Sequence, residues 1–168
     1  MAVVATAGAG LRAAKRATIL QLRAPGISTR ELEANAMELV ASSPVPVLIS
    51  SRCDVALAVG AAGVNLPERD ISVADARALL GQRLIGRSVH SLQSAREAEE
   101  EGADFVIFGP VWASQSHAYS APAGIDALKE VAAALRIPVL AIGGVTENRI
   151  AECHAAGAAG YAAIGLFQ

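Results

Sequence analysis

The chain has 168 residues, 53% of them hydrophobic and only 18% charged, with a formal net charge of −2. This is the balance of a single compact α/β domain packed with Ala, Val, Leu and Ile, and it excludes a disordered or fibrous chain. No Lys/Arg run marks a nucleic-acid or acidic-membrane surface, and no apolar stretch reaches the ~18–20 residues that span a bilayer.

Strand-length apolar segments alternate with helix-periodic ones from end to end. Residues 2–6 read as a short first strand, leaving room for only a short first helix. Further strands are expected at 18–22, 45–50, 63–66, 84–89, 104–109, 138–143 and 160–165, with helices near 28–41, 52–60, 72–80, 91–101, 124–136 and 146–156. Ser28, Ser91 and Thr146 stand where N-caps are wanted, and Glu31 lies three residues after Ser28 in capping-box spacing. A recurring pattern of helix end, glycine stop and strand at Val59-Gly-Ala-Ala-Gly63, Glu101-Gly-Ala-Asp104 and Ala156-Gly-Ala-Ala-Gly160 marks a repeated unit. Strands without polar alternation imply a parallel sheet covered by helices. No helix follows the last strand, so the outer faces of the first and last strands call for a partner subunit, a homo-oligomer, unless the chain is a truncation.

The N-terminus lacks the basic region of a signal sequence. Cys53 and Cys153 are isolated, without metal-ligand or CxxC spacing, and read as packed thiols of a reducing cytoplasm.

Candidate functional residues collect at strand C-termini. Gln21 and Arg23 end the second strand on one face, Ser50 and Ser51 the third, Asn65 the fourth, and Ser88 and His90 the fifth. Gly143-Gly144 and Gly165 end the last two strands, where bare backbone N–H groups suit an anion such as the phosphate of a small molecule. The segment 111–122 carries the only Trp together with Ser114, Ser116 and His117, and reads as a lid. His117 is the candidate acid or base, whereas His90, directly before Ser91, reads as part of a turn. Asp70 beside Arg69 is a poor metal ligand by itself, Arg23 suits either an anion or an ion pair, and His154 reads as a surface residue.

These residues resemble the thiamine phosphate synthase/TenI superfamily. The resemblance rests on Gln21-Leu-Arg23, Arg52-Cys-Asp-Val-Ala-Leu-Ala-Val-Gly-Ala-Ala-Gly63, Gly86-Arg-Ser-Val-His-Ser91, Phe108-Gly-Pro-Val-Trp112 and Ala141-Ile-Gly-Gly144. It implies a TIM (β/α)8 barrel, here lacking the last helix and with a short first βα unit, that binds thiazole phosphate at Gly143, Gly144 and the end of the eighth strand. Gln21, Arg23, Ser88, Ser114, Ser116, Gly143, Gly144 and Gly165 are the expected substrate-binding set.

Two activities divide the superfamily. Synthases join a pyrimidine diphosphate to thiazole phosphate with Mg²⁺, and TenI-type proteins isomerise a thiazole tautomer. The synthase pattern has Asn-Asp at Ser50-Ser51, a His-Leu-Gly-Gln-Glu-Asp segment at Asn65–Asp70, Thr at Val89 and a lid Lys at His117. The lost carboxylate and cation, together with Gly86-Arg-Ser-Val-His-Ser91, point to the TenI branch. The main expectation is therefore a thiazole tautomerase without metal or other cofactor, using His117 as proton shuttle because Pro110 stands where that branch commonly has its catalytic His. Gly165 also replaces a family serine. A Mg²⁺-dependent synthase and a non-catalytic ligand-binding or regulatory homologue are the alternatives.

Overall fold

In the computed structural model, which describes residues 1–113 and 121–167, eight parallel strands follow one another around a barrel in chain order. They are β1 (Ala2–Val4), β2 (Leu20–Leu22), β3 (Val47–Ser50), β4 (Gly63–Leu66), β5 (Leu84–Val89), β6 (Phe105–Phe108), β7 (Val139–Ile142) and β8 (Gly160–Ala162). Closure comes from Val3 N–H on the Ala163 carbonyl at 2.9 Å and Ala163 N–H on the Met1 carbonyl at 3.2 Å.

The helices are α1 (Ala7–Ala13), α2 (Thr29–Ser42), α3 (Cys53–Ala58), α4 (Val73–Leu80), α5 (Leu92–Glu100), α6 (Gly124–Ala134) and α7 (Ile150–Ala155). Helix α2 shows why the sequence folds this way. Ser28 and Glu31 close a full capping box at its start, and Leu32, Ala36 and Leu39 bury one stripe against the barrel.

Each strand divides its residues by parity. Leu20, Leu22, Val64, Leu66, Val106 and Phe108 pack outward in the helix-side core. Met1, Val3, Leu48, Phe105, Ile107 and Ala162 fill the interior. Phe105 is the central plug: a Cβ on Gly86 would lie 2.2 Å from its ring, so the glycine makes room for it. Inward side chains above this plug build the ligand-facing end, so the alternation that makes the core also places the site.

The structure corrects several expected boundaries. The last strand stops at Ala162 rather than 165, and Gly165–Phe167 turn as a short 3-10 helix. Phe167 stacks on Tyr161 at 6.2 Å and packs with Leu166 on the helix-side core, so this turn covers part of the outer face of β8. The segment expected as one helix at 146–156 divides into a 3-10 turn, Glu147–Arg149, and α7, and Thr146 makes no side-chain cap. Cys53 and Cys153 are buried free thiols, as expected, and burial raises the pKa of each. His154 is exposed. Among the described residues no helix is long and apolar enough to cross a membrane.

Candidate functional site

A cavity of about 340 Å³ opens at the C-terminal end of the barrel, a volume suited to a small organic ligand. Gln21, Arg23, Ser88, Gly143, Gly144 and Gly165 all line it, so these expected binding residues converge. Ser114, Ser116 and His117 lie outside the described residues. Ser50, Asn65, Glu68 and His90 also face the cavity.

Its floor is polar and buried. Gln21 is only 3% exposed and its side chain makes no hydrogen bond to a described residue. Asn65 is 2% exposed; its Nδ2 donates to Ser88 Oγ at 3.0 Å, and its Oδ1 is buried without a partner among the described residues. Buried amides normally have their hydrogen bonds met, so the unmet Asn65 Oδ1, and the Gln21 amide where it faces the cavity, can meet a ligand's polar groups.

The wall formed by β7 and β8 is a row of backbone donors. The Ile142 carbonyl accepts from Val111 N–H at 2.8 Å, and the Gly143 carbonyl from Trp112 N–H at 3.0 Å. The Gly144 carbonyl accepts from Arg149 Nη1 at 2.7 Å. Three successive carbonyls are thus engaged. Because C=O and N–H oppose each other across a trans peptide, the N–H groups of Gly143, Gly144 and Val145 point the other way.

That arrangement needs the left-handed φ values of +91° at Gly143 and +66° at Gly144. A Cβ there would also come within 2.6 Å of Pro110 Cα or 2.7 Å of the Ala113 carbonyl. Residues Gly143, Gly144, Val145, Ile164 and Gly165 line this side, and their N–H groups have no described backbone acceptor. Such a concavity of amides favours an anion. At Gly165, by contrast, nothing lies within 4 Å of an added Cβ, so this glycine is not enforced by packing.

Arg23 is exposed, lines the cavity and forms no ion pair among the described residues. His90 is more than a turn residue. Its Nδ1 bonds the Gly109 carbonyl, which only accepts, so Nδ1 is the donor in this contact. Its backbone N–H donates to Glu68 Oε1 at 3.2 Å.

Acidic groups are sparse. No group of three or more His, Cys, Asp or Glu among the described residues could by itself hold a metal. Ser51, in the left-handed region at φ +70°, directs its hydroxyl onto Asp70 Oδ2, while Asp70 Oδ1 accepts from Ile71 N–H at 2.8 Å. Mg²⁺ carried by a diphosphate asks for only one or two carboxylates from the protein. Glu68 in the wall and Asp70 two residues on meet that sparse demand, and Ser51 adds a hydroxyl where the family pattern has a carboxylate.

Glu68 is the missed residue with a sequence signal, an extra carboxylate just after a strand end. Asn65 is among the expected strand-end residues, but its unmet Oδ1 arises from its neighbours and has no sequence signal.

Comparison with known proteins places this geometry. The family profile described as thiamine monophosphate synthase matches residues 3–167. A thiamine-phosphate synthase of Methanoculleus marisnigri is 40% identical over 161 residues, covering 93% of this chain and 76% of that protein. One from Chloroflexus aurantiacus is 39% identical over 152 residues, covering 88% of this chain and 70% of that protein. The solved thiamine phosphate pyrophosphorylase of Pyrococcus furiosus superposes with a TM-score of 0.87 at 29% identity, covering 98% of this chain and 84% of that one.

These relatives overturn the tautomerase expectation. The structure supplies the physical reason. Arg87 of the segment that suggested that branch donates to the carbonyls of Ile71 at 2.7 Å and Glu68 at 2.8 Å, bracing the loop after β4. It serves the fold and gives no sign of a particular reaction. Of the other supports for a tautomerase, the lost carboxylate at Ser51 is weakened because Glu68 brings a carboxylate to the same cavity, and the lid position His117 lies outside the described residues.

Proposed function

The chain belongs to the thiamine monophosphate synthase family, and from that premise we propose that it is a transferase joining a pyrimidine diphosphate to thiazole phosphate. The observation that carries this reading is the row of amides from Gly143 to Val145 and at Ile164 and Gly165 that have no backbone acceptor among the described residues, set beside a buried polar floor.

The thiazole phosphate group accepts from those amides, which fixes the thiazole over the cavity. Charge-assisted bonds of this kind are among the stronger ones a protein makes. The diphosphate lies towards Arg23, at the end of β2 and separated from β8 only by β1. Gln21 and Asn65 hydrogen-bond the nitrogen-bearing edge of the pyrimidine, with Ser88 holding the Asn65 amide in place. Holding both partners in one cavity removes the entropy cost of a bimolecular encounter. Arg23 then stabilises the negative charge that grows on the departing diphosphate.

When bound, Mg²⁺ supplies further neutralisation of the diphosphate, with Glu68 and Asp70 as the residues that would hold it.

Turnover tests the reading. Incubation with both substrates and Mg²⁺ should release thiamine phosphate and diphosphate in equal amounts. Binding of both substrates without product would replace this reading with a non-catalytic one.

A further inference from the structure

Arg149 touches no cavity surface, yet it joins the two parts that build the phosphate corner. Its Nη1 donates to the Gly144 carbonyl at 2.7 Å, and its guanidinium lies over the Trp112 ring, 4.9 Å from the centroid. Trp112 in turn donates its backbone N–H to the Gly143 carbonyl at 3.0 Å. Its Cβ would be 2.7 Å from a Cβ on Gly144, so Trp112 packs against the glycine with no room for a side chain between them. Both Arg149 and Trp112 are half-buried.

We infer that Arg149 is a positioning residue for the phosphate site, and that Trp112 is coupled to the occupancy of that site through it. Two effects follow from the contact. The guanidinium holds the Gly144 carbonyl away from the cavity, which keeps the Val145 N–H on the ligand's side of the peptide plane. A cation on the carbonyl also polarises the peptide and strengthens its N–H as a donor. Stacking on Trp112 fixes the guanidinium plane, so the bond to Gly144 does not depend on a free-swinging side chain. An anion drawing on the Val145 N–H is therefore transmitted to Arg149 and to the indole.

The inference rests on the reading of this corner as the thiazole phosphate site, and the chain offers a separate readout because Trp112 is its only tryptophan. Titration with thiazole monophosphate should change the indole emission saturably. Arg149→Met should raise the apparent Kd about tenfold, or about 1.4 kcal/mol, with the KM for thiazole phosphate rising by the same factor. The KM for the pyrimidine diphosphate and kcat should stay within about twofold. Arg149→Lys should recover part of the loss, since an ammonium still reaches the Gly144 carbonyl without presenting a plane to the ring. Trp112→Leu should mimic Arg149→Met in KM, and the double variant should be no worse than either single one.

Unchanged thiazole phosphate affinity in Arg149→Met would overturn the inference, as would equal rises in both KM values, which mark a structural role. Should Arg149→Met fail to fold, the KM split in Arg149→Lys and Trp112→Leu decides. A saturable indole response lost in Arg149→Met, in a protein that makes no thiamine phosphate, sinks the transferase reading and leaves this one standing. Turnover with a silent indole does the reverse.

Discussion

Asn65 on β4 donates to Ser88 on β5 at 3.0 Å, and this one bond leaves its Oδ1 buried without a partner among the described residues. Removing the side chain costs one hydrogen bond of ~1 kcal/mol but also removes an unmet acceptor whose burial costs ~1–3 kcal/mol. Asn65→Leu should thus alter unfolding free energy by no more than about 1 kcal/mol, while kcat/KM for the pyrimidine diphosphate falls at least tenfold. Denaturant melts beside steady-state kinetics check this; large destabilisation with intact kinetics would make Asn65 a purely structural residue.

The two glycines of the β7 loop should tolerate nothing larger. Gly143→Ala and Gly144→Ala each combine a left-handed φ with a Cβ placed 2.6–2.7 Å from Pro110, Trp112 or Ala113. Strain at such positions is ~1–3 kcal/mol, and its relief requires turning the peptides that aim the amides. Isothermal titration with thiazole monophosphate should show affinity lost in both variants, beyond what their modest fall in thermal midpoint would explain.

Gly165 behaves oppositely. With open space around an added Cβ and a place in the cavity wall, Gly165→Ser should fold as well as the parent and place a hydroxyl beside the amide row. One added neutral hydrogen bond is worth ~0.5–1.5 kcal/mol. Thiazole phosphate binding should tighten about threefold or more, and weaker binding would show that the phosphate does not approach this tip.

Much of this was readable in the sequence. All eight strands overlap the apolar segments, and α2 to α7 overlap the helix-periodic ones, α7 only in its second half, because short apolar runs suit a parallel sheet buried on both faces and Ser28-Thr-Arg-Glu31 declares its own helix start. The glycine tips of β7 and β8 were equally plain, since a left-handed φ is a local demand. What escaped was set by residues distant in the chain. Nothing local tells that Asn65 lacks a partner, that Ser51 turns its hydroxyl onto Asp70, or that Arg149 crosses to Trp112. The tautomerase expectation failed for the same reason: a segment taken as a branch signature contains Arg87, whose partners lie across the loop after β4.

Acid stability offers an independent check on the local electrostatics. Arg52 hydrogen-bonds Asp54 at 2.6 Å and lowers its pKa from 3.8 to about 2. A depressed carboxylate pKa contributes stability above the unfolded value, and that contribution disappears as pH falls through the folded value. Asp54 is exposed and Arg52 half-buried, so solvent still screens the pair and holds it to well under ~1 kcal/mol. Asp54→Asn should be slightly less stable than the parent at pH 7, with the gap shrinking below the unfolded pKa and gone near pH 2. A gap that persists at pH 2 would trace to something other than this ion pair.

The amide row at the tips of β7 and β8 can be watched directly by ¹H–¹⁵N NMR during titration with thiazole monophosphate. The N–H resonances of Gly143, Gly144, Val145, Ile164 and Gly165 should move downfield together along one saturating curve, ahead of all others. If the ligand binds while these five stay still, the phosphate lies elsewhere and the assignment of this corner is wrong.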